Sequence, residues 1–184
     1  MIDNLLKETN ALLKGHFLLT SGRHSDGYVQ CARLLMYPDK AEKAVKIIVD
    51  KLANLEFDIV VGPAMGGILV SYEIARQTGK PSLFVEREDG KMTLRRGFNI
   101  EKGQRVLIAE DVVTTGKSTI ETSEVVEQYG GIVVGIACIV DRTVKDLEYP
   151  MFSATKLNLN FYEEEDCVLC KNNVPIYKPG SRKM

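Results

Sequence analysis

What this chain of 184 residues lacks narrows the choices first. Neither charge is in surplus: 24 lysines and arginines stand against 25 aspartates and glutamates, a formal net charge of −1. That balance gives no broad attraction to nucleic acid or to an anionic membrane surface, and no basic stripe marks a nucleic-acid reader. Long apolar runs are missing; the longest, Ile132 to Val140, is too short to span a bilayer. The first residues carry Asp3 and Glu8 and lack the basic, apolar and small-residue regions of a secretory leader, so a cytoplasmic location is expected. Internal repeats and low-complexity linkers are absent too. What remains is 45% hydrophobic and 27% charged, the balance of one globular domain with a sizeable core and room for a small appended element.

The stretch Val106 to Thr119, VLIAEDVVTTGKST, carries most of the chemistry. Its opening apolar run, Val106 to Ala109, suits a strand buried on both faces of a parallel sheet. Glu110 and Asp111 follow, then Val112 and Val113, then the turn Thr114-Thr115-Gly116-Lys117-Ser118-Thr119, after which the pattern becomes helical. A turn entering a helix presents unpaired N–H groups to an anion, and the helix dipole adds to the attraction. Gly116 lets the backbone close round a phosphate, and the hydroxyls of Thr114, Thr115, Ser118 and Thr119 can donate to it. Two carboxylates beside that loop would repel phosphate; they suit the two hydroxyls of a ribose, or a Mg²⁺ held with them. Together these features describe a holder for ribose 5-phosphate. The bland alternative is a buried strand followed by a Thr-rich helix cap.

Two other phosphate motifs fail on a missing glycine. Gly116-Lys117-Ser118 imitates the end of a Walker loop, but Asp111 stands where that motif needs its first glycine, and a carboxylate there would repel a triphosphate. Gly62-Pro63-Ala64-Met65-Gly66-Gly67 imitates a dinucleotide fingerprint, but Ala64 replaces the middle glycine.

In chain order, Met1 to Gly15 reads as an amphipathic helix with Ile2, Leu5, Leu6, Leu12 and Leu13 on one stripe. His16 to Thr20 and Tyr28 to Leu35 read as strands of a hairpin joined by a polar turn. Pro38 opens a helix to about Leu55, with Ala41, Val45, Ile48 and Leu52 inward. Strands then alternate with helices: Asp58 to Val61, Gly66 to Gln77, Ser82 to Glu86, Arg105 to Glu110, Lys117 to Tyr129, Ile132 to Asp141. That alternation predicts an α/β fold, a mostly parallel sheet wrapped by helices, with the hairpin as a hood near its carboxyl edge. Met151 to Tyr162 reads as a last strand or edge segment. The division is a hood over about 1–37, a core over about 38–150 and a C-terminal segment over 151–184, in one domain.

Three further sites stand out. The Gly62 to Gly67 loop follows a strand and opens a helix on the same edge as the acids, so it can approach an anion; the alternative is a turn with only a packing role. Between Glu86 and Gln104 the chain is charged, with Arg87, Lys91, Arg95 and Arg96, and reads either as a lid closing on a polyanion or as a solvated hairpin. Asp141-Arg142 ends a strand, where the arginine can grip a carboxylate with two parallel hydrogen bonds or form a surface pair with Asp141 or Asp146. Of the four cysteines, Cys31 and Cys138 lie in apolar strands and read as buried thiols. Cys167-Val168-Leu169-Cys170 is half of a zinc site. No second pair and no nearby histidine completes it in the sequence, so it reads as a structural knuckle without metal, with a metal shared across a dimer as the alternative.

The Val106 to Thr119 segment resembles the ribose-phosphate signature of the type I phosphoribosyltransferases, with the apolar run, both acids and the TTG turn all present. Phe17 to Ser25 with Tyr28-Val29-Gln30 resembles the hood of the orotate phosphoribosyltransferases within that family. Asp141-Arg142 resembles their orotate-carboxylate arginine. The likeness runs from about Leu13 to Arg142, and the end, Cys167 to Pro175, is similar to a tail in one bacterial and archaeal branch. The resemblance implies the type I fold and transfer of ribose 5-phosphate from phosphoribosyl pyrophosphate to orotate. The products would be orotidine 5′-monophosphate and pyrophosphate, with Mg²⁺ bound mainly through the sugar donor. It implies that Ala64, Met65, Gly66 and Gly67 meet the pyrophosphate. Glu110, Asp111, Val112 and Val113 with Thr114, Thr115, Gly116, Lys117 and Ser118 would hold the ribose phosphate. Thr114 and Arg142 would meet orotate, and Asp111 would be catalytic. The lid would serve a neighbouring subunit's site in a homodimer, with Lys91 the catalytic candidate and Arg87 the phosphate contact. Many members carry lysine where Thr20 and Gly66 stand and a histidine in the lid, and this chain has neither. A purine phosphoribosyltransferase and a non-catalytic sensor of the sugar donor are the rival readings.

Overall fold

The computed structural model describes residues 2–19 and 21–179. Thr20, one of the two positions that depart from the lysine of many relatives, lies outside them. The chain opens with α1 (Ile2–Glu8), which buries Ile2, Leu5 and Leu6. This helix is shorter than the apolar stripe suggests. Asn10 takes φ +52, the Ala11 N–H returns to the Leu6 carbonyl and the Thr9 hydroxyl to that of Leu5, a left-handed stop that ends the helix. Leu12 and Leu13 therefore belong to β1 (Leu12–Leu18). It pairs antiparallel with β2 (His24–Val29). The second hood strand thus lies earlier than its sequence suggests, and Cys31 to Leu35, read as strand, instead caps and forms the short helix α2 (Ala32–Leu35).

Pro38 opens α3 (Pro38–Lys51), which buries Ala41, Ala44, Val45 and Ile48 as its spacing demands. Then come β3 (Ile59–Pro63), α4 (Gly66–Thr78), β4 (Ser82–Glu88), β5 (Lys91–Leu94), β6 (Arg105–Val113), α5 (Lys117–Gln128), β7 (Ile132–Asp141) and β8 (Met151–Lys156). The main sheet runs β5-β4-β3-β6-β7-β8. All its pairs are parallel except β4–β5. Val106, Leu107, Ile108 and Ala109 have no exposed surface, the two-sided burial expected of a central parallel strand. β6 is longer than expected: Val112 pairs with Val140 and Val113 with Asp141, so the acids sit within the strand's last turns rather than beyond it.

The C-terminal segment does not stand apart. β9 (Phe161–Tyr162) pairs with β2, and β10 (Ile176–Tyr177) pairs with β1. The hood is therefore a four-stranded sheet, β10-β1-β2-β9. Between its outer strands run a 3₁₀ turn, Glu164–Asp166, and the short helix α6 (Val168–Lys171). No helix among the described residues is long and apolar enough to cross a membrane.

Candidate active site

β3 and β6 are neighbours, with Val61 beside Ile108, so the loops that follow them open on one edge. Glu110 and Asp111 lie against the start of α4. A Cβ built on Gly66 would stand 2.5 Å from Asp111 Cγ, and one on Gly67 2.8 Å from the Ala109 carbonyl oxygen and 3.3 Å from Glu110 Oε1. The small residues at 66 and 67 thus let the loop Ala64–Gly67 close on the acids. A side chain at position 66 would have to displace the Asp111 carboxyl from where it lies here.

The acids are held by their own backbone. The Asp111 N–H donates to Glu110 Oε1 at 3.0 Å, and the Val112 N–H to Asp111 Oδ1 at 2.9 Å. The second oxygen of each remains to accept from a ligand or meet a hard cation. Burial, and then the charge of Asp111, push the Glu110 carboxyl well above the ordinary carboxylate range. Ionising both carboxyls side by side in a partly dry site costs free energy, so the pair favours a ligand that brings positive charge or hydroxyl donors and lets Glu110 give up its proton.

Beyond Val113 the chain turns. Gly116 sits at φ +75 as the N-cap of α5 and has no side chain to cap it; the Lys117 N–H donates to Thr115 Oγ1 at 3.4 Å, which leaves the next N–H groups of the first turn for a ligand. Thr114 and Thr115 are exposed, whereas Thr119 is 2% exposed and faces the core. Thr119 is therefore removed from the hydroxyls expected at a phosphate; Thr114, Thr115 and Ser118 remain.

The register Val113–Asp141 and the bond from the Arg142 N–H to the Val113 carbonyl, 2.8 Å, bring Arg142 beside the turn. It lines a cavity of about 860 Å³ with Leu18, Arg23 and Tyr28 of the hood, Thr114 and Thr115. The surface-pair alternative does not hold. Asp141 instead accepts from the Thr143 N–H and hydroxyl at 2.8 and 2.7 Å and pairs with Lys156 at 3.4 Å. Among the described residues Arg142 has no carboxylate partner, and its Nε is buried without a hydrogen bond. Its guanidinium lies 5.1 Å from the Phe161 ring centre, and burial pulls its pKa below the ordinary value, the sign expected of a cation stripped of water without a counter-charge.

The expected lid is a hairpin rooted in the core. β4 and β5 turn at Asp89 and Gly90, both at positive φ. Leu94 and Ile100 are buried, and Met92 and Phe98 pack against their cluster, so the stretch is a hairpin as one of the two readings had it, but one packed on the core on one side rather than solvated throughout. The basic residues are engaged: Arg87 with Glu121 and with the Gly90 carbonyl, Arg95 with Glu88 at 3.2 Å, Arg96 with Glu86 at 3.1 Å. Lys91 is exposed and lines a cavity against α5 with Glu121 and Glu124. The structure does not bring Lys91 or Arg87 to the acids of the same chain.

Sequence reasoning missed the partners of the C-x-x-C pair. His16 and His24 lie against Cys167 and Cys170, all four donor atoms within 4.8 Å of one another. The reading that no histidine completes the motif is thereby overturned, as is the need for a second chain. The residues adjoin only in space, so no spacing could have revealed them. Cys31 and Cys138 are buried free thiols as expected, although Cys31 caps a helix rather than lying in a strand.

The family comparisons agree with this geometry. The model of the phosphoribosyl transferase domain matches residues 36–165. An orotate phosphoribosyltransferase of Caldicellulosiruptor bescii is 50% identical over 181 residues, 97% of this chain and 95% of that protein. The crystal structure of orotate phosphoribosyltransferase from Aeropyrum pernix superposes with a TM-score of 0.72 at 28% identity, over 85% of this chain and 94% of that one. The Mycobacterium tuberculosis enzyme in complex with inorganic phosphate gives 0.67 at 26% identity, over 85% and 95%. With the acids, the anion turn and the unpaired arginine on one edge of a helix-flanked, mostly parallel sheet, this chain belongs to the phosphoribosyltransferase family, in its orotate phosphoribosyltransferase branch.

Proposed function

We propose that the protein transfers ribose 5-phosphate from phosphoribosyl pyrophosphate to orotate, giving orotidine 5′-monophosphate and pyrophosphate in pyrimidine (UMP) biosynthesis. The observation that carries the reading is Arg142, a half-buried arginine whose Nε is buried without a hydrogen bond and which, among the described residues, has no carboxylate partner; it lines a cavity bounded by the hood and the Thr114–Thr115 turn. Orotate's carboxylate is the charge that site lacks, and a purine base has none to offer.

The 5′-phosphate sits on the open N–H groups at the start of α5, with Thr114, Thr115 and Ser118 donating. Glu110 and Asp111 accept from the ribose hydroxyls and stabilise positive charge at the anomeric carbon as its bond to pyrophosphate breaks. The leaving oxygen keeps the bonding pair, and ring N1 of orotate adds from the opposite face as its proton passes to solvent. The free carboxylate oxygens at 110 and 111 form a hard, anionic donor set that fits Mg²⁺ entering with the sugar donor. Bound there, Mg²⁺ supplies charge neutralisation to the pyrophosphate. Ala64 to Gly67 offer backbone to that group. Little covalent work falls to the protein, so positioning and electrostatics dominate.

The reading includes a cytoplasmic homodimer in which the β4–β5 hairpin serves the neighbouring site. Two observations support the dimer. Lys91 lies away from its own acids, and α4 with its N-cap residue exposes Met65, Leu69 and Tyr72 (82, 52 and 64% exposed) at the spacing of one helix face.

A spectrophotometric assay of orotate consumption, with and without the sugar donor and Mg²⁺, tests the reaction, and a panel of bases tests the acceptor. Consumption of orotate that needs both components is expected. Equal or faster use of adenine or hypoxanthine would overturn the assignment.

A further inference from the structure

The hood carries a second cluster of reactive side chains, remote in sequence from the acids and unused by the transfer reaction. β1 and β2 pair with Leu18 opposite His24. Residues two apart on a strand share a face, so His16 and His24 are diagonal neighbours on one side of the hood sheet. The chain that leaves β9 crosses this side before returning as β10. Cys167, the N-cap of α6, and Cys170, one turn on, face the same point. Three of the four residues are nearly sealed: His16 and His24 are each 3% exposed and Cys167 is 0% exposed.

Four of the six separations between donor atoms are close to those of a coordination sphere. His16 Nε2 lies 2.9 Å from His24 Nδ1, 3.5 Å from Cys167 Sγ and 3.7 Å from Cys170 Sγ, and Cys170 Sγ lies 3.3 Å from His24 Nδ1. A tetrahedral zinc with bonds of ~2.05 Å to nitrogen and ~2.3 Å to sulfur puts its ligand atoms about 3.3–3.8 Å apart. Of these four edges only the nitrogen–nitrogen one is short, by a few tenths of an ångström; the widest separation in the group reaches 4.8 Å, so a bound ion would draw the ligands together.

Hydrogen bonding alone does not account for the arrangement. His16 Nδ1 lies 2.8 Å from the Val174 carbonyl oxygen. A carbonyl only accepts, so Nδ1 carries the proton and Nε2 presents its lone pair. One lone pair satisfies one good donor, yet three heavy atoms converge on it inside a buried pocket. A cation at the centre satisfies all of them at once. The carbonyl behind His16 then plays the usual outer role, fixing the tautomer and the ring orientation of a metal ligand. Two sulfurs and two nitrogens, with no carboxylate in the group, select Zn²⁺ over Mg²⁺ or Ca²⁺.

We propose that His16 Nε2, His24 Nδ1, Cys167 Sγ and Cys170 Sγ form a closed, structural Zn²⁺ site that staples the C-terminal segment to the hood. Four protein ligands leave no position for substrate, so the ion is structural. Its place in the fold gives it a task. Phe161, on the strand that leads to the knuckle, stacks on both Arg23 and Arg142, with ring-centre distances of 5.4 and 5.1 Å, and Arg23 pairs with Glu163 at 3.0 Å. The staple holds this wall of the base cavity. The assignment does not depend on which base the enzyme uses.

The test is elemental analysis of the reduced, untagged protein, isolated without chelator and again after dialysis against zinc, beside Cys170→Ser and His24→Ala. About one zinc per chain is expected in the parent and at least a fivefold loss in each variant. Cobalt replacement in the parent gives a readout independent of how the variants fold: thiolate-to-cobalt charge-transfer absorption and tetrahedral ligand-field bands are expected. A parent that takes up less than about a tenth of an equivalent of zinc, variants that keep their zinc, or cobalt binding without thiolate bands would overturn the proposal. Iron at the same stoichiometry would overturn the choice of metal.

Discussion

The two polar clusters of this molecule are built in opposite ways. The acids and the anion turn come from one unbroken segment, Glu110 to Ser118, fixed by the end of a buried strand and the start of a helix. The histidine–cysteine cluster joins residues up to 154 positions apart and exists only because β9 and β10 bracket the hood. The first is open, like-charged and short of partners; the second is sealed, neutral in type and crowded. A site that must receive a polyanion and expel another needs the first arrangement. A site that only holds chain together needs the second. Arg142 follows the same logic among the cations: the arginines of the β4–β5 hairpin and Arg23 of the hood are paired with glutamates, whereas Arg142 at the base cavity has no such partner among the described residues.

If the acids serve the transition state and not the fold, Asp111→Asn should show the largest effect. The amide keeps the oxygen that accepts from the Val112 N–H, so melting should barely change. Turnover should fall about 10²–10³-fold, the usual loss when a group that meets developing charge is neutralised. Unchanged turnover in the orotate assay would remove the carboxylate from the chemistry. Arg142→Ala comes next. Losing a buried charge-assisted pair costs about 1.5–3 kcal/mol, so the KM for orotate should rise roughly 10- to 100-fold while that for the sugar donor changes little. Equal rises in both would take Arg142 out of the base site.

The contrast also sets what the sequence could disclose. Local physics wrote the core sheet plainly: the apolar run at Val106 to Ala109 is fully buried, and Pro38 and Gly79 bound their helices where expected. The hood was harder, because its stripe of leucines fits a helix and a strand equally well; an asparagine in the left-handed region decided it. The charged stretch after Glu86 looked mobile because charge conceals the buried residues Leu94 and Ile100 spaced between. The partners of Cys167 and Cys170 were illegible in principle, since antiparallel register and chain return set that contact, not spacing.

Gly66→Ala sharpens the comparison from the side of the open site. The new methyl would meet the Asp111 carboxyl at 2.5–2.7 Å, so either the loop or the acid must shift. About a tenfold loss of kcat/KM for the sugar donor is expected, in line with small misplacements of a positioned group. The hood and its zinc content should be untouched. Loss of metal together with activity would show that the two clusters are coupled, contrary to their separate construction.

The smallest effect concerns Glu110 and the cost of keeping two acids together without ligand. Burial, aided by the charge of Asp111, raises its carboxyl in the folded protein. Above the ordinary glutamate value near ~4.3 the folded chain therefore holds a proton that the unfolded chain has lost, and stability falls as pH rises toward the raised value. The penalty is complete once pH passes it. Glu110→Gln removes that slope: melting temperatures of parent and variant should coincide in mild acid and diverge as pH climbs. At alkaline pH the variant should melt higher than the parent. The same substitution should lower activity, because the ligand that relieves the repulsion is the one the pair exists to bind. A variant that melts lower than the parent throughout would mean that Glu110 holds the strand end in place, and the open site would then be no different in kind from the sealed one.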